Sequence, residues 1–186
     1  KSIVGIIGIG RIGTAVINRL KSFGFKIIGY DPYQPSGHEK AIGYERVHKL
    51  DDLLEKSDIV SIHTPSTNET KGMVDLEFFK RMKKGSIFIN TARGSILKDL
   101  DCLHQALKNN FINSAGLDVL PNEPPENHIL IEDWKNSKDW IKGKLLINPH
   151  SSYYSVDAWE EMRFKAAETI NLFISQGTLR NKINIS

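Results

Sequence analysis

Cysteine is almost missing from this chain. Its 186 residues hold one, Cys102, so no disulfide can close within it and packing must hold the fold. That thiol falls in an amphipathic pattern and reads as a small buried hydrophobe rather than a nucleophile. A single thiol suits a reducing compartment, which points to the cytoplasm. Metal-ligand spacing is missing too: His38, His48, His63, His104 and His128 show none, and no metal is expected. No apolar run approaches the roughly 18 residues a membrane helix needs. The apolar start over residues 3–9 is interrupted by glycine and lacks a cleavage pattern, so it does not read as a signal peptide. Excess charge is lacking as well. The formal net charge is +3, and the basic residues are dispersed. That excludes the basic stripe of a nucleic-acid binder and the polybasic patch of a membrane-surface protein.

What is present is a repeating pattern. Short Ile/Val/Leu runs at 3–7, 26–30, 58–63, 86–90, 114–119 and 144–148 predict strands. Helical patterns at 11–23, 50–56, 76–82, 99–108 and 156–175 alternate with them. The strand segments are near-continuous apolar runs, as in a parallel sheet covered on both faces. Strand–helix alternation of this kind specifies an α/β fold, a doubly wound parallel sheet of the Rossmann-like, dinucleotide-binding type. Residues 120–143, with Pro121, Pro124, Pro125, Trp134 and Trp140, form the one irregular stretch. It is long for a loop in a compact domain, so it is functional or partly helical.

The first strand runs into Gly8-Ile9-Gly10-Arg11-Ile12-Gly13. Three glycines at this spacing mean little alone. Between a buried strand and an amphipathic helix they have a mechanism: Gly8 for the tight turn, Gly10 for approach of a pyrophosphate, Gly13 for close packing of the helix. The helix N-terminus then offers free N–H groups to the phosphates. Asp31 closes the second strand, where a carboxylate can accept hydrogen bonds from the adenine ribose and repel a 2′-phosphate. NAD is thereby favoured over NADP. The plainer use of Asp31 is as a turn acid, since Asp-Pro opens many turns.

Three more polar clusters end predicted strands: Asn90-Thr91-Ala92-Arg93-Gly94, then Gly116-Leu117-Asp118-Val119 leading to Asn122-Glu123-Pro124, and Asn148-Pro149-His150. Carboxyl ends of strands are where open α/β sheets bind ligands. With the glycine turn and Tyr30-Asp31-Pro32-Tyr33, these segments resemble the D-isomer-specific 2-hydroxyacid dehydrogenase family along the whole chain. The branch containing the C-terminal-binding proteins is the nearest, on NTARG, LDV with its later EP, and PHSSYYS followed by EMR. The resemblance implies three catalytic residues, Arg93, Glu123 and His150, with Glu123 paired to His150. It also implies a cofactor-binding set of Gly8, Gly10, Arg11, Ile12, Gly13, Tyr30, Asp31, Pro32, His63, Thr64, Pro65, Thr70, Thr91, Ala92, Arg93, Asp118 and His150. In that set Asp118 lies near the nicotinamide carboxamide.

The residue types suit that chemistry. Reducing a 2-oxo acid needs a hydride from NADH at carbon and a proton at oxygen. A histidine titrating near its ordinary value of about 6.5 can give the proton, and a nearby carboxylate orients it. An arginine binds the substrate carboxylate through its planar donor fork. Each residue also has a plainer use, as a helix-end cap, a loop acid or a structural imidazole. The segment between Glu123 and His150 is longer than the family usually shows, which suggests an insertion. Tyr153-Tyr154-Ser155 stands where the C-terminal-binding branch commonly has Trp-Tyr-Ser. The stretch after Gly94 lacks that helix's usual early acid.

The resemblance further implies a substrate domain built mostly from upstream residues, so residues 1–186 are expected to be the NAD-binding domain alone. An NAD(H)-responsive, corepressor-like binding protein without significant turnover is the alternative reading, and a nucleotide-binding remnant a third. A homodimer is expected, because the terminal helix carries Trp159, Met162, Ala166, Ile170 and Phe173 on one face.

Overall fold

A computed structural model describes residues 2–125 and 127–180. Residues 1–150 and 151–186 form two separate compact units.

The first unit is a seven-stranded sheet in which every pairing is parallel. Its strands are β1 (Ile3–Ile7), β2 (Lys26–Tyr30), β3 (Glu45–Arg46), β4 (Ile59–Ile62), β5 (Ile87–Asn90), β6 (Ser114–Leu117) and β7 (Leu145–Ile147). The spatial order is β3-β2-β1-β4-β5-β6-β7. The chain moves outward from β1 in one direction, then returns to β4 and moves outward in the other. That reversal opens a crevice at the carboxyl ends of β1 and β4, where doubly wound sheets take their ligands.

Successive side chains along a strand point to opposite faces, and here both faces are buried. Val4, Ile6 and Ile27 join one apolar cluster, while Ile7 and Ile28 join the other. Helix α1 (Arg11–Leu20) covers the first face through Ile17. Helices α3 (Leu50–Lys56), α4 (Leu76–Arg81) and α5 (Leu100–Lys108) supply Leu53, Phe78 and Leu103 to the second. Phe78, Phe79 and Phe88 meet edge to face there, with ring centroids 5.2–6.2 Å apart. Each such fully buried side chain contributes roughly 1.5–3 kcal/mol by leaving water.

Short polar side chains start several helices. Asp75 Oδ1 accepts from the Phe78 amide at 2.9 Å, and Asp99 Oδ1 from that of Cys102 at 2.7 Å. Cys102 is buried, and that burial, helped by Asp99, pushes its thiol up to about 11. This matches its reading as an inert packing residue.

The structure departs from expectation in two places. The first helix stops at Leu20 and continues as a 3₁₀ turn, Lys21–Phe23, ended by Gly24 in the left-handed region. Helix α2 (His38–Ile42) and the two-residue β3 were unforeseen, being too short to carry a period. Residues 120–143, expected to be functional or partly helical, do contain a helix, α6 (Ile129–Lys135), capped by His128 and anchored by buried Leu130 and Ile131. Tryptophan ties this helix down: Trp134 Nε1 donates to the Leu145 carbonyl at 3.0 Å, and Trp140 Nε1 to Asp133 at 2.8 Å.

The second unit holds helix α7 (Val156–Gln176), capped by Ser155, whose hydroxyl accepts from the Ala158 amide at 3.0 Å. Its Trp159, Met162, Phe164, Ile170 and Phe173 are exposed. No helix among the described residues is long and apolar enough to cross a membrane.

Candidate cofactor cleft and active site

The glycine turn at the end of β1 is a fitted cradle. Gly8 has φ +86°, and a Cβ there would lie 2.8 Å from the His63 and Thr64 backbone at the end of β4. A Cβ on Gly13 would lie 2.2 Å from the Gly8 carbonyl oxygen, so α1 packs directly on the turn. Gly10 differs: a Cβ there would meet nothing within 4 Å. Nothing in the protein demands glycine at that position, which fits a ligand approaching from outside. Helix α1 begins at Gly10 with no side-chain cap and no acid in its first turn. Its first amides and their partial positive charge are available to an anion.

Beside the turn is a cleft of about 710 Å³. Its lining includes Gly8, Gly10, Tyr30, Asp31, Pro32, His63, Thr64, Pro65 and Thr70. Asp31 braces the turn as well as facing the cleft: Oδ2 accepts from the Ile9 amide at 2.7 Å, and Oδ1 from that of Tyr33 at 3.0 Å. Gln34 completes the clamp, its Nε2 donating to the Ile9 carbonyl at 2.9 Å. A carboxylate oxygen has two acceptor positions, so each keeps one for a sugar hydroxyl. The turn-acid use and the ligand use of Asp31 are therefore compatible. His63 shares a hydrogen bond of 2.9 Å with Ser61, and burial pushes its pKa down to about 4, so it is neutral near pH 7. Thr64 Oγ1 is buried without a hydrogen-bond partner in this wall. An open helix N-terminus, a ribose-sized acceptor and an unsatisfied hydroxyl together fit a dinucleotide.

A second cleft, of about 430 Å³, lies beyond the ends of β6 and β7 and is lined by Asp118, Glu123, Trp134, Asn148 and His150 among others. Glu123 is its pivot. Oε1 accepts from the Leu120 amide at 2.8 Å, and Oε2 lies 2.7 Å from His150 Nδ1. Burial opposes ionisation of Glu123, yet the hydrogen bonds from His150 and Leu120 outweigh it and hold the carboxyl below its ordinary value. With Glu123 ionised, His150 donates from Nδ1, and Nε2 is the nitrogen left to carry a proton.

Arg93 stands on the adjoining loop after β5. Asn90, fully buried, shapes that loop: its Oδ1 accepts from the Ala92 amide and its Nδ2 donates to the Arg93 carbonyl, both at 3.0 Å. Gly94 allows the loop to press on its neighbour, since a Cβ there would lie 1.8 Å from the Leu120 carbonyl oxygen. The Arg93 and Glu123 loops are thus in backbone contact. Arg93 itself is exposed, with Nη1 donating to the Ala92 carbonyl at 2.7 Å.

The expected residues therefore fall into groups. Nine line the first cleft, and Asp118, Glu123 and His150 line the second. Arg11 and Ile12 are exposed at the start of α1, and Gly13 is buried behind the turn. Thr91, Ala92 and Arg93 follow β5. Sequence reading did not single out Gln34, gave Tyr33 no role beyond its place in the resembling segment, and missed the bracing role of Asn90, at which only its position at a strand end hinted. Among the described residues, no group of three or more His, Cys, Asp or Glu is placed to hold a metal ion.

Fold and cradle define a dinucleotide-binding α/β domain. Residues 1–152 match the family described as D-isomer specific 2-hydroxyacid dehydrogenase, NAD binding domain, and the chain belongs to that family. It is accordingly an NAD-binding domain. D-3-phosphoglycerate dehydrogenase of Methanocaldococcus jannaschii is 41% identical over 98% of this chain and 33% of its own length. C-terminal-binding protein 1 of Caenorhabditis elegans is 34% identical over 94% of this chain and 23% of its own. The crystal structure of D-lactate dehydrogenase from Aquifex aeolicus complexed with NAD and lactic acid superposes with a TM-score of 0.78. It is 31% identical and covers 93% of this chain and 53% of that one. The chain thus spans no more than about half the length of these relatives.

Proposed function

We propose that the intact protein is an NAD-dependent dehydrogenase interconverting a D-2-hydroxy acid and its 2-oxo acid, with residues 1–186 as its cofactor domain. The carrying observation is the His150–Glu123 pair, 2.7 Å apart, on a strand-end cleft of a domain that binds NAD. The cofactor, when bound, would supply or accept the hydride. His150 moves the proton at Nε2, Glu123 fixes the ring through its hydrogen bond, and Arg93 holds the substrate carboxylate. Gly8 to Gly13 would hold the pyrophosphate, Asp31 the adenine ribose and Asp118 the nicotinamide end of the cofactor. The exposed apolar residues of α7 support a homodimer; light scattering that finds only 21.0 kDa particles at high concentration would exclude it. The single buried thiol suits the cytoplasm.

The relatives' extra length supports a substrate wall supplied by another part of the intact protein. NADH fluorescence is therefore expected to report binding by residues 1–186, while turnover with 2-oxo acids is nearly absent. Orientation between two walls lowers the barrier by several kcal/mol, and exclusion of water strengthens every charge interaction in the site. Efficient turnover by these residues alone would refute the shared site, and failure to bind NADH would refute the cofactor assignments.

A further inference from the structure

The first cleft carries charge of one sign only. Of the residues lining it, Asp31 and Glu69 bear carboxylates, and no lysine or arginine is among them. His63 adds no charge near pH 7, since its pKa lies at about 4. Asp31 reaches the cleft from the end of β2, Glu69 from the loop after β4.

That loop is pre-folded. Thr70 Oγ1 donates to the Pro65 carbonyl at 2.6 Å and accepts from the Thr67 amide at 2.8 Å, closing a tight turn that presents Glu69. Tyr33 then spans the cleft mouth. Its amide is held by Asp31, and its hydroxyl donates to Glu69 Oε2. One residue therefore bonds to both carboxylates, with its backbone on one and its phenol on the other. The phenol's pKa is raised, first by the hydrogen bond to Glu69, then by slight burial and the negative charges of Glu69 and Asp31.

Resting on the NAD reading above, we infer that Glu69 is a second cofactor-selecting carboxylate, positioned by Tyr33, that acts with Asp31 to exclude a ribose 2′-phosphate. Asp31 can select by accepting from a sugar hydroxyl. Glu69 selects by charge alone, through a neighbouring position that a doubly charged phosphate would have to share. A second carboxylate several ångströms from a phosphate costs affinity on the order of fivefold at low ionic strength, and salt screens that cost. Removing Asp31 alone consequently leaves a residual preference for NADH. Its removal also weakens the turn, because the Ile9 and Tyr33 amides lose their acceptor.

The test is fluorescence titration of the protein with NADH and NADPH at low and high salt, read as the ratio of the two dissociation constants. Glu69→Gln keeps an acceptor for Tyr33 and removes the charge. It is expected to move the ratio about fivefold toward NADPH at low salt and much less in 1 M salt. Asp31→Ser with Glu69→Gln should move it further than Asp31→Ser alone. Glu69→Asp, which keeps the charge, should retain most of the preference. Tyr33→Phe should shift the ratio in the wild-type background and have no effect on it once Glu69 is Gln. If Glu69→Gln scales both affinities equally, or shifts the ratio independently of salt, the selecting role is wrong while the NAD reading stands. Wild-type protein that binds neither cofactor would overturn both.

Discussion

Acidification from neutral pH to about pH 4.5 is expected to weaken the fold through His63 in particular. The ring is partly buried at the end of β4, bonded to Ser61 Oγ at 2.9 Å, and burial lowers its pKa from 6.5 to about 4. The unfolded chain takes up a proton on this residue near 6.5, the folded chain only near 4. Between those values the unfolded state binds more protons. The contribution is therefore complete above 6.5, falls as pH drops through the window, and levels off below 4. At about 1.4 kcal/mol per pKa unit the whole window amounts to roughly 3 kcal/mol, an upper value that the ring's residual exposure lowers to about 2. Urea unfolding across this range, compared with His63→Gln, isolates the effect. Asp58, Asp99 and Glu123, whose carboxyls also lie below their ordinary values, titrate in both proteins and cancel. A histidine resonance titrating near pH 4 in the folded protein is the direct check. Titration of folded His63 near 6.5, or an equal loss of stability in the variant, would refute the argument.

Two glycines of the turn should separate folding from ligand binding. Gly13→Ala forces a Cβ to within 2.2 Å of a backbone oxygen, and is expected to cost about 1–3 kcal/mol in a melt as well as NADH affinity. Gly10→Ala meets nothing in the protein, so it should leave stability almost unchanged and still weaken NADH binding; equal effects in both assays would contradict this. In the intact protein, Glu123→Gln and His150→Gln are expected to reduce turnover by similar large factors, with the double variant little worse than the poorer single one. Additive losses would break the pairing. Because Glu123 has a depressed pKa, the stability it contributes as a carboxylate accepting from His150 and Leu120 should be present above the ordinary carboxylate range and be lost as pH falls through the depressed value, read by urea unfolding of Glu123→Gln beside the parent.

Much of this was legible before any coordinates. Continuous Ile and Val runs fixed β1, β2, β4 and β5 as buried parallel strands, because only a sheet covered on both faces can use them. The turn from Gly8 to Gly13 was legible for the same local reason: a strand, a positive-φ position and a helix start are adjacent in the chain. What could not be read depends on partners far apart in sequence. β3 has two residues and exists because β2 offers an edge to Glu45 and Arg46. Partial helix was expected over residues 120–143, but not its bounds; the place of α6 comes from bonds and burial against β7 and the core. Asn90 gave no sign that both ends of its amide would be consumed in shaping the Arg93 loop. Tyr33 and Glu69 lie 36 residues apart, and Glu123 and His150 lie 27 apart. Their types could be noted in the sequence, but bringing their atoms together required the sheet order that sets the ends of β2 and β4 on either side of β1, and β6 beside β7. Local periodicity decided which segments became strands and helices; tertiary closure decided which side chains meet, because a hydrogen bond needs placement to a few tenths of an ångström, and no local pattern encodes that.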